Sequence, residues 1–352
     1  MKNIIVIFLI VLFALLSIDS IYATEKIYEL TLADTTAPVG LRGAGVKLFL
    51  EEVEKYTNGK VKINVYWGES LLKAKEILKG IETGIVDIGY IEANYNPERL
   101  FILGSFAIYP QGPRKFSNTY EAIEKCFEEI PELTQELESL NQRTVYMNIG
   151  LPMSVCSTKP ITCFEDFKGK RIRASSSWYL DQLKGAGAIP VSVPWGDCYM
   201  ALQTGMIEGV YTNLDGLHRT KLDEVASNIF TMRENWIATA DLYNINIDKW
   251  NSLPAEIQEQ LLEAGRSASL RFSELFDAEW EKVIEEQKEL GYKIIAASPE
   301  DVQKWMSMPI IDQMKEDWIK RAKEKGIENA EEIVSKMSKI ITEAIEKEEK
   351  EN

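Results

Sequence analysis

Arg173 is the side chain in this sequence best suited to hold an anion. It sits in the short run Arg171-Ile172-Arg173-Ala174 and is followed by three serines. A guanidinium offers a planar fork of N–H donors that matches a carboxylate through two parallel hydrogen bonds. Arg171, two residues earlier, shares that face only if the strand is regular. The plain alternative for either arginine is a surface charge beside Glu165 and Asp166. Trp195 follows Pro194 directly after an apolar run, where an indole could wall a ligand or fill core space. Tyr211, Thr212 and Asn213 end another such run, and strand alternation turns some of them to a crevice and others to the core. Glu92 and Asp34 each lie just past a strand in the first half of the chain. Each alone is otherwise a capping or surface carboxylate.

The elements that position these groups follow from residues 165–218. A Gly-Lys turn leads into a strand at 171–174, and a helix begins in the serine run and ends at Gly187-Ala188. A second strand covers 189–193, and Pro194-Trp195-Gly196-Asp197 turns the chain, with Asp197 as N-cap of a helix over 198–204. Gly205 stops that helix, and 209–213 is a third strand. This strand–helix–strand–helix–strand plan builds parallel α/β sheets, which bind ligands beyond the carboxyl ends of their strands.

Residues 28–91 repeat the plan, with strands at 28–33, 61–67 and 86–91 and helices at 46–56 and 70–83. Residues 115–138 are helical with a break near Pro131, and 144–149 is a strand leading to Gly150-Leu151-Pro152, where the chain passes into a second lobe. Residues 217–226 are helical, 228–232 cross back, and 243–247 return to the first lobe. Ser252 is the expected N-cap of a long helix reaching about Leu290. A final strand at 291–296 and helices at 299–323 and 330–347 complete the chain.

Several chemistries are excluded or weakened. The sequence has no GxSxG elbow, no GxxxxGK[ST] loop and no GxGxxG opening a helix after a strand. A single histidine, His218, removes most catalytic triads and His-based metal sites, and no CxxC pair marks a zinc site. Neither a catalytic set nor a cofactor is expected. The net charge of −15 and the lack of a basic block argue against nucleic acid as a partner. Residues 1–23 read as an export signal, with Lys2, an apolar run over 4–16, and a cleavage site near Ala23. In an oxidising compartment Cys156 and Cys163 could pair, while four reduced thiols are the alternative.

The segments 51–65 (EEVEKYTNGKVKINV), 80–87 (GIETGIVD), 166–173 (DFKGKRIR) and 186–209 (AGAIPVSVPWGDCYMALQTGMIEG) carry a family resemblance. The chain resembles the periplasmic solute-binding proteins of tripartite ATP-independent periplasmic (TRAP) transporters, in the DctP-like group. The resemblance implies a two-lobed α/β fold of the type II-like periplasmic binding proteins, with hinge segments and a long helix spanning both lobes. It places residues 27–150 and 239–278 in lobe I, and 151–238 and 279–345, with the C-terminal helices, in lobe II. A small organic carboxylate held between the lobes would be delivered to TRAP membrane permease subunits, by a monomer or a homodimer in the periplasm. The alternatives are a sensing subunit presenting bound carboxylate to a receptor, and an exported enzyme on the same fold.

By that resemblance the carboxylate-clamping arginine falls on Arg173 and the pocket aromatic on Trp195. A polar site residue falls on Thr212, with Asn213 adjacent. A first-lobe Glu of the sialic-acid-binding branch falls on Glu92, and an Asn of that branch near Asp34 or Thr35. That branch also has a second arginine, and Met153 stands in its place, which argues against sialic acid. A dicarboxylate would need another cation, for which Arg42 and Arg99 are candidates. Met153, Trp195, Tyr90 and Tyr211 point instead to a monocarboxylate with an apolar or aromatic body.

Overall fold

The computed structural model describes residues 26–150, 152–214, 217, 221–235 and 240–351. The export signal expected over residues 1–23, His218 and much of the helix expected over 217–226 lie outside the described residues. In chain order the strands are β1 (Tyr28–Ala33), β2 (Val61–Tyr66), β3 (Ile88–Ile91), β4 (Gln142–Ile149), β5 (Met153–Ser157), β6 (Arg171–Ala174), β7 (Ile189–Ser192), β8 (Gly209–Asn213), β9 (Asn228–Thr231), β10 (Ala240–Asn246) and β11 (Lys293–Ala296). They form two sheets, ordered β2-β1-β3-β10-β4 and β11-β9-β5-β8-β6-β7.

Each sheet is parallel where the sequence alternates strand with helix. β1 runs parallel to β2 and β3, and β6 runs parallel to β7 and β8. The antiparallel members arrive by a crossing. β10 returns between β3 and β4, and β5 lies between β8 and β9. β2, at a sheet edge, alternates buried and exposed residues, whereas β3 is buried throughout.

The sequence reading needs three corrections here. β5 was not expected, because Met-Ser-Val-Cys-Ser is buried at every position and shows no alternation. Residues 228–231 are not the crossing. They are an inner strand of the second sheet, and the chain crosses after Thr231. Ser252 does not cap the long helix Ala255–Glu289. It ends the short helix Ile247–Asn251, and Pro254 stands at the N-cap position of the long one.

The long helix has 35 residues, about 50 Å at 1.5 Å per residue, enough to serve both sheets. Its first half packs Ile257, Leu261, Ala264 and Ala268 among first-sheet residues such as Val145 and Tyr243. Its second half packs Phe272, Phe276 and Trp280 with Val210, Ile229 and other second-sheet residues. Between them Gly265 lies so close to β4 that a Cβ there would stand 1.8 Å from the Val145 carbonyl oxygen. The helix therefore presses its backbone onto the sheet at that point.

The C-terminal helices Ile310–Glu324 and Ala330–Glu351 were expected with the second lobe. They bury Trp318, Ile333 and Met337 against Phe101, Phe106 and Leu133, which belong to the first-sheet side. The Tyr109 hydroxyl donates to the Val334 carbonyl at 2.9 Å, and Glu348 accepts from the Arg114 and Lys115 amides at 3.0 Å each. Their apolar faces thus find a partner in the helices Phe116–Glu129 and Pro131–Ser139, while the second lobe keeps the helix Pro299–Met306 and the first residues of the next, Ile310 and Ile311. No helix among the described residues is long and apolar enough to cross a membrane.

Candidate functional site

Arg173 lies on an inner strand, with Val191 of β7 opposite on one side and Val210 of β8 on the other. Only 5 % of it is exposed. Its Nε donates to the Val193 carbonyl at 2.8 Å, and its guanidinium carbon stands 5.4 Å from the centre of the Trp195 ring. The β7 end and the turn after it therefore aim this arginine. No carboxylate among the described residues pairs with it. Burial pushes its pKa below the ordinary arginine value. The groups that oppose that shift are the Cys198 thiol, the Tyr95 phenol and the Cys156 thiol. Burial raises the Cys198 pKa and pushes Cys156 up to about 12, so both thiols are protonated at neutral pH. Among the described residues the site holds a cation without a counter-charge. Arg171, by contrast, is exposed and pairs with Glu208 at 3.4 Å.

The other expected residues divide into two groups. Trp195, Thr212 and Asn213 are half-buried at the ends of their elements in the second lobe, and Trp195 stands beside Arg173. Met153 and Tyr211 are core. Met153 is 6 % exposed within an apolar cluster, and Tyr211 is fully buried. The Tyr211 hydroxyl donates to Gln182 Oε1 at 3.1 Å and accepts from Asn235 Nδ2 at 2.8 Å. Asp34 is also fully buried, accepting from the Thr36 amide at 2.7 Å and the Tyr243 hydroxyl at 2.9 Å. Those partners occupy both of its oxygens, so it fixes the turn after β1 instead of facing a ligand. The apolar-bodied ligand thereby loses Met153 and Tyr211 as walls. Of the two alternatives for Cys156 and Cys163, the structure has the reduced one: both are free thiols, like Cys126 and Cys198.

The first lobe contributes a polar cluster that sequence reasoning saw only in pieces. Arg42, on the helix Gly40–Tyr56, donates to Asp241 Oδ2 at 3.0 Å and to the Tyr90 hydroxyl at 2.8 Å. Burial is the largest influence and opposes the Arg42 charge, but Asp241 together with Tyr90, Tyr243 and Glu92 outweighs it and keeps the guanidinium ionised. Burial, with help from Glu92, pushes the Asp241 carboxyl up to about 6 against the pull of Arg42 and the Tyr90 hydrogen bond. Glu92 is half-buried and accepts from Asn94 Nδ2 at 3.0 Å. Asn94 also reaches the Tyr179 hydroxyl of the second lobe at 3.4 Å, so the two lobes meet beside Glu92. Arg99 lies elsewhere, paired with Glu82 at 2.8 Å. Asp241 was missed because β10 arrives from far along the chain. The signal for it was Asp241 two residues before Tyr243, matching Glu92 two residues after Tyr90 on the neighbouring strand.

Two α/β sheets joined by crossing segments and a shared long helix, with a buried arginine that meets no carboxylate among the described residues, make the fold that of a two-lobed solute receptor. The profile described as bacterial extracellular solute-binding protein, family 7 (DctP), matches residues 32–321, and the chain belongs to that family. It is a solute-binding protein of the TRAP type and not an enzyme. The C4-dicarboxylate-binding periplasmic protein DctP of Rhodobacter capsulatus is 26 % identical over 307 residues, covering 84 % of this chain and 89 % of that protein. A TRAP periplasmic solute-binding protein of Desulfovibrio salexigens superposes with a TM-score of 0.75 at 24 % identity, covering 90 % of this chain and 96 % of the other. A TRAP solute-binding protein specific for pyroglutamate, from an unidentified marine microbe, gives 0.73 at 20 % identity over 89 % and 99 % of the two chains.

Proposed function

We propose that this chain is an exported receptor that captures a small organic carboxylate between its lobes and hands it to TRAP membrane permease subunits. The observation that carries the carboxylate is Arg173, a residue only 5 % exposed with no anionic partner among the described residues. A buried charge without a partner is costly in the empty protein, and a bound carboxylate relieves that cost. Trp195 packs over the guanidinium and the ligand body, and Thr212 and Asn213 supply polar contacts from the same lobe. The DctP relative and the pyroglutamate-binding protein are named for small organic acids, which supports the same chemical class. Closure follows because a ligand touching both lobes favours the closed state over the open one. Residues 1–23 serve as the cleaved export signal. The first lobe comprises the first sheet with its helices and the C-terminal pair, and the second comprises the second sheet.

Arg173→Ala tests this reading. Isothermal titration with the organic acids that raise the melting temperature of the natural protein should show affinity lost by about 2–5 kcal/mol, roughly 30- to 4,000-fold. Arg173→Lys should recover only part of it, since an ammonium lacks the planar fork. An unchanged dissociation constant in a folded Arg173→Ala protein removes Arg173 from the site.

A further inference from the structure

The polar cluster of the first lobe is short of one hydrogen-bond donor. The Tyr90 oxygen lies 2.8 Å from Asp241 Oδ1 and 3.1 Å from Glu92 Oε2, and Arg42 Nη2 donates to it at 2.8 Å. A phenol carries a single hydrogen, so only one of the two carboxylates can receive it. The shorter contact goes to Asp241, which is 3 % exposed and also paired with Arg42. Glu92 is the half-buried member, and Oε2 is left without that donor while Oε1 takes Asn94.

The lobes meet beside this cluster. Asn94, which donates to Glu92 at 3.0 Å, also reaches the Tyr179 hydroxyl at 3.4 Å. Tyr179 lies on the helix Ser177–Gly185, which directly follows the strand Arg171–Ala174 that carries Arg173. A cation with no carboxylate partner among the described residues and a carboxylate oxygen lacking the Tyr90 proton thus lie on the two lobes at that junction.

We propose that the ligand is a carboxylic acid carrying a hydrogen-bond donor, such as an N–H, ammonium or hydroxyl, at the end away from its carboxylate, and that Glu92 accepts that donor. This rests on the reading that Arg173 holds the carboxylate. A second carboxylate at that end would meet Glu92 as a like charge and leave both short of a proton, so plain dicarboxylates are disfavoured. The inference revises the apolar-bodied ligand suggested by Met153, Trp195, Tyr90 and Tyr211: Met153 and Tyr211 are core, and the Tyr90 hydroxyl is held by Arg42 and Asp241, which leaves Trp195.

Two matched sets of acids test it by titration, together with mass spectrometry of any small molecule released from denatured protein. The first set is 4-aminobutyrate, butyrate and succinate. The second is 3-hydroxybenzoate, benzoate and isophthalate. In whichever set binds, the donor-bearing acid should be tightest by about tenfold or more, and a released ligand should carry both a carboxylate and a distal donor. Glu92→Gln should weaken the donor-bearing acid about tenfold and narrow the gap to the dicarboxylate. If succinate or isophthalate leads its set, or the released ligand is a plain dicarboxylate, and Arg173→Ala still abolishes binding, this proposal falls while the carboxylate reading stands. If no carboxylic acid binds or is released, the carboxylate reading fails and takes this proposal with it.

Discussion

Arg42 and Arg173 are both enclosed guanidiniums, one in each lobe, and their surroundings differ in one decisive respect. Arg42 has a carboxylate at 3.0 Å and a phenol at 2.8 Å, and its charge is secured. Arg173 has a carbonyl, an indole face and protonated thiols, and burial works against its charge. A paired buried arginine holds a protein together, and removing it strands its partner. An unpaired one strains the empty protein and is relieved only by an anion from outside. The first lobe has therefore satisfied its own charge pair, while the proposed function gives the unpaired cation of the second to the ligand.

Variants can break or sharpen this contrast. After the loss of binding in Arg173→Ala, the next largest effect belongs to Arg42→Ala, which should destabilise folding by about 3 kcal/mol in urea melts. That is the lower end for a buried pair, because 20 % of the Arg42 side chain remains exposed against 4 % of Asp241. A loss below about 1 kcal/mol at neutral pH means the pair is not structural, and the contrast collapses. Tyr243→Phe removes the hydroxyl that donates to the fully buried Asp34 at 2.9 Å and should cost about 1–2 kcal/mol. Ligand affinity lost without any stability change would instead return Asp34 to the site.

The smallest effect is a pH slope. Burial raises folded Asp241 from 3.8 to about 6, so between those values the folded chain holds a proton that the unfolded chain releases. Its stabilising contribution is complete below about pH 4 and is lost as pH rises through about 6. Asp241→Asn should therefore match the natural protein near pH 4 and gain on it toward pH 7. A variant that falls further behind as pH rises shows that the Arg42 pair outweighs burial.

The legibility of the sequence follows the range of the signals involved. The strand–helix alternation over residues 165–213 reads directly, because each element there is local and punctuated by Gly205, Gly187 or Pro194. Arg173 and Trp195 could be singled out for the same reason, since the strand and turn that aim them adjoin in sequence. β5 and β9 escaped because inner strands buried on both faces lack an alternating pattern, and only pairing with distant β8 and β11 fixes them. Asp34, Tyr211 and Met153 stand at plausible distances from strand ends. Whether such a side chain faces a cleft or a core depends on partners such as Tyr243 and Gln182, far away in the chain. Asp241 needed the antiparallel return of β10, and the placement of the C-terminal helices needed the first lobe's apolar surface.

One comparison tests the central claim most directly. Arg173→Met keeps the bulk of the side chain and removes the charge, and its melting temperature is measured without ligand and with a saturating ligand of the natural protein. The account predicts an unliganded melting temperature equal to or above that of the natural protein, and loss of the ligand-induced rise. A lower unliganded melting temperature together with a preserved rise would contradict it, showing Arg173 to be a structural arginine like Arg42.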